Sequence, residues 1–116
     1  MPSILREELF APEDVDNASA DVLITVPSTP TTTLLINGRV RFTNHTAGAV
    51  TITAWAVPSG GSAGTTNICL PSTSIGANSY IDVDVPQIAA GGTFEAQAGA
   101  ATSITASCID GAYYSS

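Results

Sequence analysis

Between Leu34 and Thr43 the chain reads LLINGRVRFT. Leu34, Ile36, Val40 and Phe42 fall on one side of a two-residue period, and Asn37, Arg39 and Arg41 fall on the other. A strand points successive side chains to opposite faces, so this pattern describes a strand with one face in a core and one in water. Asn37-Gly38 is a turn dipeptide. The alternation continues through it, which favours a single strand with a bulge over a hairpin.

Other stretches repeat the pattern. Val22, Ile24 and Val26 alternate within Asp21–Val26, and Pro27 to Thr33 follows as a Pro/Thr loop. Ala49–Val57 has Val50 and Ile52 on one face but Trp55 and Val57 on the other, so it is bulged or covered on both sides. The apolar company of Trp55 assigns it to the core. Ser79–Val85 puts Ile81, Val83 and Val85 inside and Asp82 and Asp84 outside. Thr93–Ala98 puts Phe94, Ala96 and Ala98 inside, and Ser103–Ile109 does the same with Ile104, Ala106 and Cys108. A further short strand fits Asn67–Leu70. Six or seven short strands separated by Gly, Pro, Asn, Ser and Thr, with no long amphipathic helix, predict an all-β fold. The expected architecture is a small antiparallel β-sandwich, jelly-roll-like, or a small barrel, with a thin Ala- and Val-rich core. At 116 residues the chain holds one domain.

The stretch VPSGGSAGTTN, from Val57 to Asn67, has the glycine content of a phosphate cradle. Such a cradle needs a lysine and a helix N-terminus after it. This chain contains no lysine, and Ile68-Cys69-Leu70-Pro71 does not begin a helix. The stretch therefore reads as a hairpin loop, with Gly60 and Gly61 allowing tight turning or the close approach of a neighbour.

Charge narrows the partners. Three arginines stand against ten acids, for a net charge of −7. Nucleic-acid binding rests on Lys and Arg neutralising phosphates, so it is not expected here. No apolar run is long enough for a membrane span, and MPSILREELF lacks the form of a secretory signal, so synthesis in a cytoplasm is expected. Six of the ten acids lie in residues 1–21, with Arg6 as the one basic residue there. Residues 1–20 therefore read as an acidic N-terminal arm and residues 21–116 as the sandwich. Ser3 capping Leu5 and Leu9 at i,i+4 spacing would make part of the arm a short helix. Extended alternatives are a tail or an added edge strand. Leu5, Leu9 and Phe10 are its candidate contact residues.

No catalytic constellation is apparent, and neither a cofactor nor a metal site is expected. His45, the one histidine, sits in a turn, and no serine occupies a G-x-S-x-G elbow. Cys69 and Cys108 read as reduced structural cysteines, although a fold could bring them together. With one histidine they are too few for zinc. Asp82 and Asp84 share a strand face, as do Arg39 and Arg41. Each pair could meet a partner, or the two pairs could meet each other. Tyr113 and Tyr114, in a polar tail, read as contact aromatics or as part of a last edge strand.

LREELF, Thr25-Val26-Pro27, Arg41-Phe42-Thr43-Asn44, V-T-I-T-A-W, V-P-S-G-G-x-A-G and A-G-G-T-F-E-A-Q-A occur in that order along the chain. Together they resemble the small all-β virion proteins of tailed bacteriophages. The resemblance implies a non-enzymatic structural protein of the virion, made in the host cytoplasm. It further implies a capsid decoration or cement protein, homo-oligomeric and often trimeric, bound to the major capsid protein. The alternative it leaves open is a tail, collar or fibre-associated component contacting tail proteins, with a glycan-binding role in which Trp55, Tyr80, Tyr113 and Tyr114 would be the stacking residues. Arg39, Arg41, Gly60, Gly61, Tyr113 and Tyr114 join Leu5, Leu9 and Phe10 as interface candidates.

Overall fold

In the computed structural model, which describes residues 3–6 and 8–115, the alternating stretches pair into two antiparallel sheets. Ten strands contribute: β1 (Ser3–Arg6), β2 (Glu13–Asp14), β3 (Asp21–Thr25), β4 (Leu34–Asn44), β5 (Val50–Val57), β6 (Ile68–Ile75), β7 (Ser79–Val85), β8 (Ile88–Ala89), β9 (Thr93–Ala98) and β10 (Ile104–Ser115). The first sheet runs β1-β10-β4-β7, with β2 beside β10 and β8 beside β4; the second runs β3-β9-β5-β6. The last strand thus nests between the first and fourth, and the ninth between the third and fifth. This is the double-sheet jelly-roll arrangement. No helix forms among the described residues.

The inward residues of both sheets meet in one core. Phe42 and Phe94, one from each sheet, are fully buried, with ring centroids 6.5 Å apart. Ile24, Leu35, Val40, Ile52, Ile75 and Ile104 surround them, and Ala54, Ala96, Ala98 and Ala106 keep the layer thin. Each large buried side chain contributes about 1.5–3 kcal/mol. Phe94, Ala96 and Ala98 point inward as the alternation requires, and so do Ile104 and Ala106.

Three expectations about facing are corrected. Val22, expected to share a face with Ile24 and Val26, is 47% exposed, and Leu23 is buried instead, where the register against β9 shifts between Val22 and Ile24. Leu34 and Ile36 are only half-buried, and Leu35 takes the core position instead. Asn37 has φ +55°, the left-handed conformation that Asn tolerates better than most residues. It inserts one residue between inward Leu35 and inward Gly38 and so reverses the parity of the strand. The bulge was expected, but its effect on facing was not. Trp55 is half-buried rather than in the core. Val50, Ile52 and Ala54 hold the inner face of β5, and register shifts against β6 flank Ala54.

The N-terminal segment is extended over Ser3–Arg6, not helical. Val15 is 1% exposed, and its amide donates to the Ile104 carbonyl at 2.8 Å. The Asp16 carbonyl accepts from the amide of Ala98, on the opposite sheet, at 2.9 Å. Residues 13–16 therefore tie the two sheets together along one margin.

Candidate functional site

The loop from Val57 to Asn67 joins two antiparallel neighbours, β5 and β6, and closes on itself. Gly61 N donates to Pro58 O at 2.9 Å, and Gly60 takes φ +78°, which suits glycine. Asn67 fastens the base. Its Oδ1 accepts from Gly64 N at 3.0 Å and its Nδ2 donates to Ser62 O at 2.9 Å. Gly60 and Gly61 are exposed at the tip. The backbone groups a phosphate would need are partly committed to the loop itself, which is a hairpin connection.

The outer face of the first sheet carries two pairs of opposite charges. Antiparallel register sets Arg41 opposite Asp82 and Arg39 opposite Asp84. Arg41 holds Asp82 through two bonds, Nε to Oδ1 at 2.8 Å and Nη2 to Oδ2 at 3.1 Å, the planar fork that a guanidinium offers a carboxylate. The same guanidinium lies 4.1 Å from the centre of the Tyr80 ring. The Arg41 hydrogen bonds hold the Asp82 carboxyl below the usual aspartate range, and Asp82 in turn pushes Arg41 up. Arg39 and Asp84 form a looser pair at 3.5 Å. The two arginines and two aspartates therefore answer each other within the chain.

The remaining sequence candidates are dispersed. Leu5 is 55% exposed and pairs with Tyr113 in the register of β1 and β10. Leu9 and Phe10 are partly buried against the core. Tyr113 turns inward and is buried, in a strand with neighbours on both sides rather than at an edge. Tyr114 is half-buried, between Ile4 and Leu34 in the register. His45 is exposed in its turn, with Nε2 3.7 Å from Asp14 Oδ1. Cys69 and Cys108 are both free, and burial pushes the Cys69 thiol up. Among the described residues no cluster of three His, Cys, Asp or Glu side chains has a metal-binding arrangement.

Sequence reasoning did not single out the sheet margins. The four outermost strands of the two sheets each bear an exposed large apolar or aromatic side chain: Ile4 and Leu5 on β1, Val22 on β3, Ile68 on β6 and Tyr80 on β7. Ile109 on β10 is also exposed. Only the pairing order identifies which strands are edges, so no local signal could have marked Ile4, Val22 or Ile68, while Leu5 and Tyr80 are sequence candidates on other grounds.

No protein-family model and no curated protein matches this sequence. The fold has solved counterparts. A structure of Bacillus endospore appendages, described as a family of disulfide-linked pili, is similar at a TM-score of 0.53 and 13% identity, over 100% of this chain and 90% of that one. A chain of infectious bursal disease virus, Gx strain, is similar at 0.52 and 13%, over 97% of this chain and 31% of that one. A chain of the T13 particle of the same virus gives 0.52 and 9%, over 97% and 30%. This chain spans about a third of those viral chains. At such identities the likeness is one of fold.

Proposed function

We propose that this protein is a structural subunit of an assembled particle, and specifically a bacteriophage virion protein that decorates and stabilises the head shell. The observation that carries the reading is the exposed apolar side chain on each sheet margin. Chains that remain monomeric blunt such edges with charge, proline or cover. Here Ile4, Leu5, Val22 and Ile68 are 40–58% exposed on outer strands, and although Pro71 blunts β6 and Asp82 and Asp84 blunt β7, β1 and β3 keep their apolar side chains uncovered. A neighbouring copy or a shell protein would cover them. Burying such a surface costs little desolvation, because charged residues make up only 11% of the chain and Arg41 is already paired with Asp82. The dimensions, 49 × 26 × 17 Å, suit a plate lying on a larger surface. The assembling proteins that share this fold lend support by analogy alone. Self-association, as a trimer or another closed ring, and contact with the major capsid protein belong to this reading, as does assembly into virions after synthesis in the host cytoplasm. Within the acidic segment 1–20, Ile4 and Leu5 are the part proposed to reach toward a neighbour, while Val15 is packed into the body that 21–116 forms.

Immunogold labelling of purified particles tests it. Dense gold over the head is the expected result. Gold confined to the tail or collar would assign the chain to those parts instead. No gold on any particle, with the epitope accessible, would overturn the virion reading.

A further inference from the structure

Two bulges face each other in the first sheet. On β4 the left-handed Asn37 adds a residue. On β10 the register slips between Cys108 and Asp110 and again between Asp110 and Ala112, with Gly111 at φ +148°. The paired ladder of β4 and β7 ends at Gly38 and Val85 on the same level. Three strands are thus interrupted together, and an open recess of about 440 Å³ lies there, lined by Asn37, Gly38, Arg39, Asp84, Val85 and Asp110. Bulges re-aim side chains, and residues held in rare backbone conformations concentrate at functional sites. A recess of this size falls within the range of about 300–1,000 Å³ typical of small-molecule sites.

The lining selects the ligand class. Among the described lining residues, Asp84 and Asp110 give two carboxylates against one guanidinium, which disfavours an anion, and Asp110 Oδ1 also accepts from Gly111 N at 2.8 Å. Arg39 stands opposite both aspartates in the register, with its Nε 3.5 Å from Asp84 Oδ1, which disfavours a metal cation. Val85 is the one large apolar side chain in the lining, so a hydrocarbon ligand gains little. What fits is a neutral molecule that donates to carboxylates and accepts from a guanidinium and an amide on adjacent atoms. Vicinal hydroxyl groups do this. We propose that the recess at the Asn37 bulge is a binding site for a neutral saccharide, with Arg39 and Asn37 donating to ring hydroxyl oxygens and Asp84 and Asp110 accepting from the same hydroxyls. The site is distinct from the aromatic residues considered as stacking platforms, and it does not depend on the structural role proposed above.

Titration of the isotope-labelled full chain with maltose, lactose, cellobiose and diacetylchitobiose, followed by amide NMR, decides the matter. At least one disaccharide is expected to give saturable shifts at Asn37, Gly38 and Asp110, with a Kd of about 1–10 mM. Arg39→Ala and Asp110→Asn are expected to weaken that binding about tenfold while keeping the dispersed spectrum of the folded chain. If Arg39→Ala loses that spectrum, Asp84→Asn answers the same question. Absence of saturable shifts, shifts confined to other residues, unchanged affinity in the variants, or a response only to glucuronate or calcium would overturn the proposal.

Discussion

The amide of Val15 donates to the carbonyl of Ile104 over 2.8 Å, while the Val15 side chain lies buried in the core. One residue of the acidic N-terminal segment therefore both extends the first sheet and fills space between the two sheets. Its neighbour Asp16 accepts from Ala98 on the other side. Removing residues 1–6 should leave a folded chain, because Ile4 and Leu5 are more than half exposed where they sit. Removing residues 1–20 should destabilise it severely. Val15→Ala should cost about 2 kcal/mol through the cavity it leaves. Urea denaturation of the three variants checks this. Full stability after removal of residues 1–20 would mean that Val15 contributes nothing.

Asn44 is fully buried, and its side chain holds several backbone groups at once. Nδ2 donates to the carbonyls of Gly48, Ile75 and Gly76 at 2.8–3.2 Å, and Oδ1 accepts from the amide and hydroxyl of Thr46. Asn44 thereby joins the end of β4 to its own turn and to the end of β6 in the opposite sheet. Asn44→Asp should cost about 3 kcal/mol at neutral pH, because it turns a donor toward carbonyl oxygens into a buried acceptor. A chemical denaturation midpoint within error of wild type would refute this.

The Arg41–Asp82 fork sets an acid limb of stability. Its hydrogen bonds lower the Asp82 pKa in the folded state. In the window between that lowered value and the ordinary aspartate value, the unfolded chain binds more protons than the native one, so stability rises with pH there. The contribution is fully present above the ordinary aspartate range and is lost as pH falls through the lowered value. Asp82→Asn should flatten this limb. Glu13 acts in the opposite sense. Desolvation, with a smaller effect from Asp21, raises its pKa, so its contribution improves as pH falls through the raised value toward the ordinary glutamate range. Urea midpoints from pH 2 to pH 7 for wild type, Asp82→Asn and Glu13→Gln separate the two, on the order of the window that carboxylates span.

Gly111 has φ +148°, and a Cβ placed there would stand 2.5 Å from Leu9 Cδ1. Gly111→Ala should destabilise by about 2 kcal/mol, from backbone strain and from displacement of Leu9. Adding Leu9→Ala should relieve only the steric part, which a double-mutant cycle measures. Simple additivity would show that the two side chains do not compete for the space.

Alternation alone determined the class of this fold. The inward Phe94, Ala96 and Ala98 and the outward Asp82 and Asp84 follow from a period of two, a property of the local backbone. The missing lysine and the residues after the glycine-rich loop determined that the loop is no phosphate cradle. The tertiary structure decided what depends on partners far along the chain. A single left-handed residue, Asn37, exchanged Leu34 and Ile36 for Leu35 on the core side, because one inserted residue inverts every facing before it. Val15 became core although its neighbours in sequence are acidic, because Ile104 and Ala98 lie on either side of it. The recess at Arg39, Asp84 and Asp110 brings together residues up to 71 positions apart, numbered 39 to 110, from three strands. Sequence periodicity carries no information about strand order. Pairing between distant segments sets which strands lie at the edges, which bulges face each other and which polar side chains converge.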